Sequence, residues 1–101
     1  DLEEEDEVVP LWMAEAQPKA IKSVNPKYPE IARKANIEGK VFVRVLLGKD
    51  GKVKKVLGVT GPEVFHQAAT EVIWQWVFSP AMQNDRPVSV EVTLPISFQL
   101  H

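Results

Sequence analysis

Side chains able to act as acids, bases, nucleophiles or metal ligands are thinly spread along this sequence. It carries two histidines, His66 and His101, and no cysteine. The missing cysteine removes disulfides, thiolate chemistry, iron–sulfur clusters and Cys-based zinc sites. His66 has only Glu63 and Thr70 at ligand-like spacing, which do not make a metal site, and His101 is the terminal residue. The carboxylates are scattered over positions of surface type. Burying one deeply enough to tune its pKa needs a cleft that a domain this small rarely builds. Gly39, Gly48, Gly51, Gly58 and Gly61 punctuate turns and strands and do not form a phosphate cradle between a strand and a helix. No catalytic residue, metal site or cofactor is therefore expected, and the chain does not read as an enzyme.

The chemistry left to such a chain is that of its main chain. Val88, Val90, Val92, Leu94, Ile96, Phe98 and Leu100 alternate with Ser89, Glu91, Thr93, Pro95, Ser97 and Gln99. This period of two specifies a long strand with one buried and one wet face. Pro95 cannot donate to a ladder, which places the strand at an edge of its sheet. A free edge is a template on which another chain can pair. The strand Val88–Leu100, with its core Val88 to Phe98, is thus the candidate binding element.

The rest of the chain must position that strand. Asn25-Pro26-Lys27-Tyr28-Pro29 predicts an extended lead-in, with Pro29 opening a short helix. Tyr28, Ile31, Ala32 and Ala35 form its apolar face, and Asn36 suits the left-handed position that ends it. Val41, Val43, Val45 and Leu47 share one face of a first strand. Lys49-Asp50-Gly51-Lys52 predicts a hairpin. The return strand to about Thr60 alternates poorly, as a bulge or an edge position would explain. Gly61-Pro62 opens a second helix whose stripe is Val64, Phe65, Ala68, Ala69, Val72, Ile73 and Trp76; Trp74 falls on its opposite face. Phe78-Ser79-Pro80-Ala81 ends this helix, and Gln83-Asn84-Asp85-Arg86 reads as a polar loop. The fold class expected is α+β: a three-stranded antiparallel sheet in the order 2-1-3, with both helices packed on one face.

The chain's 101 residues fit one domain. Charge divides it: residues 1–18 hold seven acids and no Lys or Arg, while residues 19–101 hold seven acids and all twelve basic residues. An acidic tail or linker over 1–18 and a folded body over 19–101 are expected. A body of net charge about +5 without a recognition helix does not argue for nucleic acid. No apolar run approaches the roughly 18–20 residues that span a bilayer, and the acidic start is unlike a signal peptide. Within the tail, Val8-Val9-Pro10-Leu11-Trp12-Met13 reads either as linker or as a segment that docks through Trp12.

Taken together, Tyr28-Pro29 with Ala32, Glu38-Gly39 with Val41 and Val43, Asp50-Gly51-Lys52-Val53, Ala68-Ala69 before Trp76-Val77-Phe78-Ser79-Pro80-Ala81, and Pro87-Val88 with Leu94-Pro95-Ile96-Ser97-Phe98 resemble the C-terminal domain of TonB-family energy transducers. No one of these motifs is specific; their order and spacing over residues 18–100 are. The resemblance implies a periplasmic domain of a protein anchored in the bacterial inner membrane, energised by an ExbB–ExbD motor. It implies binding of the TonB box of outer-membrane transporters as a strand added beside Val88–Phe98. Trp74, Tyr28 and Pro29 are the expected accessory contacts; the family position of Trp74 is commonly polar or charged. The chain is expected to be a fragment lacking the anchor. Glu7-Val8-Val9 loosely echoes the acid-then-valine pattern of such boxes, so residues 7–13 are a candidate to pair with an edge strand in the same or a neighbouring chain. The alternatives are a TolA-like envelope link, a module forming a homodimer, and, third, a small enzyme.

Overall fold

The computed structural model describes residues 8–100. Its centre is β3 (Gly39–Leu47), where Val41, Val43, Val45 and Leu47 are buried and the intervening residues are exposed or half-buried. This is the alternation that a strand with one covered face requires. The hairpin at Gly48–Gly51 returns the chain as β4 (Val53–Thr60), antiparallel to β3. Two register shifts, opposite Arg44/Val45 and Leu46/Leu47, leave Leu57 and Lys54 of β4 as extra residues. These bulges account for its irregular pattern. On the other side of β3 lies β7 (Arg86–Phe98), antiparallel and in unbroken register from Gly39↔Phe98 to Leu47↔Val90.

The three expected strands thus lie in the order β4-β3-β7, but the sheet does not stop there. The first described residues form β1 (Val8–Val9), which pairs parallel to β7 with Val8 opposite Ser89 and Val9 opposite Val90. A short β6 (Ala81–Gln83) pairs antiparallel to the start of β7. The expectation of a three-stranded, purely antiparallel sheet is corrected to a mixed sheet of five strands. The segment read as a polar loop is the turn of a tight hairpin: Asn84 and Asp85 both take positive φ, 54° and 61°, the twist that a two-residue connection between strands demands. A second, two-stranded sheet joins β2 (Ala20–Lys22) to β5 (Val77–Phe78).

Two helices cover the inner face. The first, α1 (Glu30–Lys34), follows Pro29 and buries Ala32. The second, α2 (His66–Ile73), continues a 3-10 turn over Glu63–Phe65 and buries Ala68, Ala69, Val72 and Ile73. It is shorter than the apolar stripe suggests. Trp76 lies beyond its end, where the ring Nε1 donates to the Val24 carbonyl at 3.0 Å. The core between helices and sheet is closed at one end by three rings. Phe65 stacks on Phe98 with centroids 4.2 Å apart, and Tyr28 meets both edge-on at 5.7 and 5.9 Å.

Candidate functional site

Arg86–Phe98 is the longest element of the fold. Its residues Val90, Val92, Ile96 and Phe98 are buried under the helices and Leu94 is half-buried, while Glu91, Thr93, Pro95 and Ser97 are exposed on the opposite face. One edge of β7 pairs with β3 over nine residues. Pro95, opposite Phe42, lies in the middle of that ladder without shifting its register. A proline is accommodated there because its nitrogen points to the strand's other edge. Main-chain groups of a strand alternate in direction, so the outer edge carries N–H and C=O of Ser89, Glu91, Thr93 and Ser97, with only a C=O at Pro95.

β1 bounds this edge at one end, and the β6–β7 hairpin precedes it along the strand. Val88 pairs with Ala81, and Ser89 and Val90 pair with Val8 and Val9. From Glu91 to Phe98 the outer edge of β7 has no strand partner among the described residues. The exposed side chains along it are Glu91, Thr93, Pro95 and Ser97. Arg44 Nε lies 3.5 Å from Glu91 Oε1 with both side chains about half exposed, an ion pair of the kind that adds little to stability.

The expected accessory residues separate. Tyr28 and Pro29 line an open cleft of about 490 Å³ between α1 and α2, together with Lys27, Arg33, Gln67 and Glu71. The Tyr28 hydroxyl donates to the Ile37 carbonyl; burial, and next the charge of Glu38, hold its pKa above the usual value. Trp74, at the C-terminal cap of α2, is 49% exposed and is not part of that cleft. His66 donates from Nε2 to the Gly61 carbonyl at 2.9 Å, a structural bond at the start of α2. No group of metal-ligating side chains exists among the described residues.

Of the readings offered for residues 7–13, pairing with an edge strand of the same chain is the one seen at Val8–Val9; the attachment of Glu15 and Ala16 to β6 was not foreseen. Trp12 does not dock: it is 81% exposed, whereas Val9 is buried and Leu11 half-buried against the core. After a 3-10 turn at Leu11–Met13, Glu15 N–H donates to the Met82 carbonyl at 2.7 Å and Met82 N–H to Ala16 at 2.9 Å. The Glu15 carboxylate also accepts from the Asn84 N–H at 2.6 Å. The run Val8-Val9 was the signal for the strand pairing. The expected tail residues 1–7 lie outside the described residues, as does His101.

An α+β domain with a mixed sheet, two short helices on one face and a long strand open along one edge defines the class. Within it, the chain belongs to the family of the Gram-negative bacterial TonB protein C-terminal domain, whose model matches residues 24–100. Protein TonB of Vibrio cholerae is 42% identical over 79 residues, covering 76% of this chain and 32% of that protein. Protein tonB2 of Pseudomonas aeruginosa is 33% identical over 78 residues, covering 75% of this chain and 29% of that protein. The chain therefore spans about a third of the length of these relatives. The fold resembles the solution structure of the Pseudomonas aeruginosa TonB C-terminal domain with a TM-score of 0.63, at 24% identity, over 83% of this chain and 87% of the other. Membership in this family agrees with a role in interaction rather than enzymatic catalysis.

Proposed function

We propose that this domain is the periplasmic C-terminal part of a TonB-type energy transducer, and that it receives the TonB box of an outer-membrane transporter as a strand added along the outer edge of β7. The observation that carries this reading is the stretch Glu91–Phe98, paired with β3 on one side and without a strand partner on the other. Main-chain hydrogen bonds supply affinity in strand addition, while flanking side chains set preference. Such bonds suit boxes of differing sequence, and a ladder spreads a pulling force along its length. On this reading an anchor in the inner membrane and an ExbB–ExbD motor supply the force. The side chains offered here need only recognise a strand; none has to donate a proton or hold a metal.

The test is titration of the isotope-labelled domain with a synthetic TonB-box peptide, followed by backbone amide shifts. Shifts concentrated on Glu91–Phe98 are expected. Shifts concentrated on β4, the strand at the opposite edge of the sheet, would overturn the assignment.

A further inference from the structure

The outer edge of β7 already has an occupant at one end. Val8 and Val9 run parallel to β7 against Ser89 and Val90, and the 3-10 turn that follows packs on the same strand. Ser89 records this contact. Its side chain belongs to the outward-facing set with Glu91, Thr93, Pro95 and Ser97, all exposed, yet it is 3% exposed and is the one buried polar residue among those described. The strand residue opposite it on this edge is Val8.

Position along the edge gives the contact a consequence. Pro95 interrupts the row of outward N–H donors, so the longest uninterrupted run is Ser89, Glu91 and Thr93. The segment at Val8–Val9 lies against the start of this run, with Val8 opposite Ser89 and Val9 opposite Val90. It is also lightly held. Its pairing with β7 covers two residues, Val9 is its one fully buried side chain, and Trp12 and Met13 are exposed. The remaining attachment is the packing of half-buried Leu11 and Ala14 on the core, the bonding of Glu15 and Ala16 to Met82 and that of Glu15 to Asn84. Being joined to the domain, the segment acts at a high effective concentration despite these few contacts.

We infer that residues 8–16 are a displaceable strap that masks the Ser89 end of the β7 edge, so that an incoming strand binds by driving Val8–Val9 off it. This rests on the reading above, in which a partner strand uses the outer edge of β7. Apparent affinity is then reduced by the fraction of molecules with the strap in place.

The sequence has no cysteine, so a single disulfide can be placed without competition. In the intact chain carrying Val8→Cys and Ser89→Cys, oxidation at low protein concentration should join the two positions within one chain. Neighbouring strands bring such pairs within disulfide reach. The oxidised form should bind the TonB-box peptide about tenfold or more weakly than the same protein after reduction. A second variant, Val9→Asp, should loosen the strap and tighten that binding about tenfold. It should also capture a peptide of this chain's own residues 5–13 at Ser89–Thr93, seen by amide shifts, where the unaltered chain does not. Failure of the disulfide to form, its formation only between two chains, or equal peptide affinity of the oxidised and reduced forms would overturn the strap. If the box peptide shifts no β7 amide in any variant, the proposed function fails; capture of the 5–13 peptide still decides whether the strap exists.

Discussion

A Cβ added to Gly51 would lie 1.7 Å from the Phe78 carbonyl oxygen, and the glycine has φ of +79°. The hairpin tip is therefore docked as well as turned: Phe78 N–H donates to the Gly51 carbonyl at 2.8 Å. Gly51→Ala meets both a backbone clash and an unfavourable φ, and should cost more than about 1 kcal/mol. A thermal melt should show a fall in midpoint of about 5 °C or more. Beside it, Asp50 accepts from Lys54 Nζ at 2.8 Å and from the Lys52 N–H at 3.1 Å. The Lys54 bond is the main cause of its lowered pKa. Its contribution is complete above an unfolded carboxylate's pKa of about 4 and is lost as pH falls through the lower folded value. Asp50→Asn should thus narrow the stability difference between pH 7 and pH 2.5, by a small amount because the group is exposed. In the closed end of the core, Phe98→Ala removes a ring that is 1% exposed and stacked on Phe65. It should cost roughly 3–5 kcal/mol in denaturant unfolding, most of a small domain's margin. The sequence pattern identified Phe65 and Phe98 as core because periodicity records burial. It misplaced Trp76 in the helix because an apolar residue three after Ile73 fits the helical period whether or not the helix continues.

At the scale of elements, strands with one covered face were the most legible. β3 and β7 alternate because one face meets the helices. β2, β5 and β6 have two or three residues each, too few to display a period, and their pairing depends on distant partners. Asn84-Asp85 between β6 and β7 was readable only through its turn chemistry, since both residues tolerate positive φ. The open edge was foreshadowed by one residue, Pro95. The same argument yields a test of the candidate site. Thr93 and Ser97 share Pro95's direction on β7, so Thr93→Pro or Ser97→Pro removes an outward donor and leaves the ladder to β3 intact. Either change should weaken TonB-box peptide binding on the order of fivefold to tenfold, by one lost main-chain bond and the ring blocking the edge. Unfolding midpoints should move little. A loss of stability that matches the loss of binding would place those N–H groups in the β3 ladder instead.

For the whole molecule, the sheet order β1-β7-β3-β4 sets a gradient of protection. β3 has a strand on each side along most of its length and carries three fully buried valines, Val41, Val43 and Val45. Its contacts with β7 join positions far apart in the chain, so they open only when the domain unfolds globally. β1 has two paired residues, and on the strap proposal it is expected to open on its own. This hierarchy explains why composition and local pattern gave the body but left residues 8–16 between two readings: their docking depends on an edge created by the rest of the fold. Native-state hydrogen exchange should resolve it without any ligand. Amides in β3 are expected to exchange slowest, at rates approaching global unfolding. Along β7 the amides should alternate, with Val92, Leu94 and Ile96 slow through their bonds to β3 and Thr93 and Ser97 fast on the open edge. Ser89, at the strap, should fall between the two sets and join the fast one when Val9→Asp is introduced. Uniform slow exchange from Glu91 to Ser97 would mean that the outer edge is covered in solution, and the site would have to be sought elsewhere on the sheet.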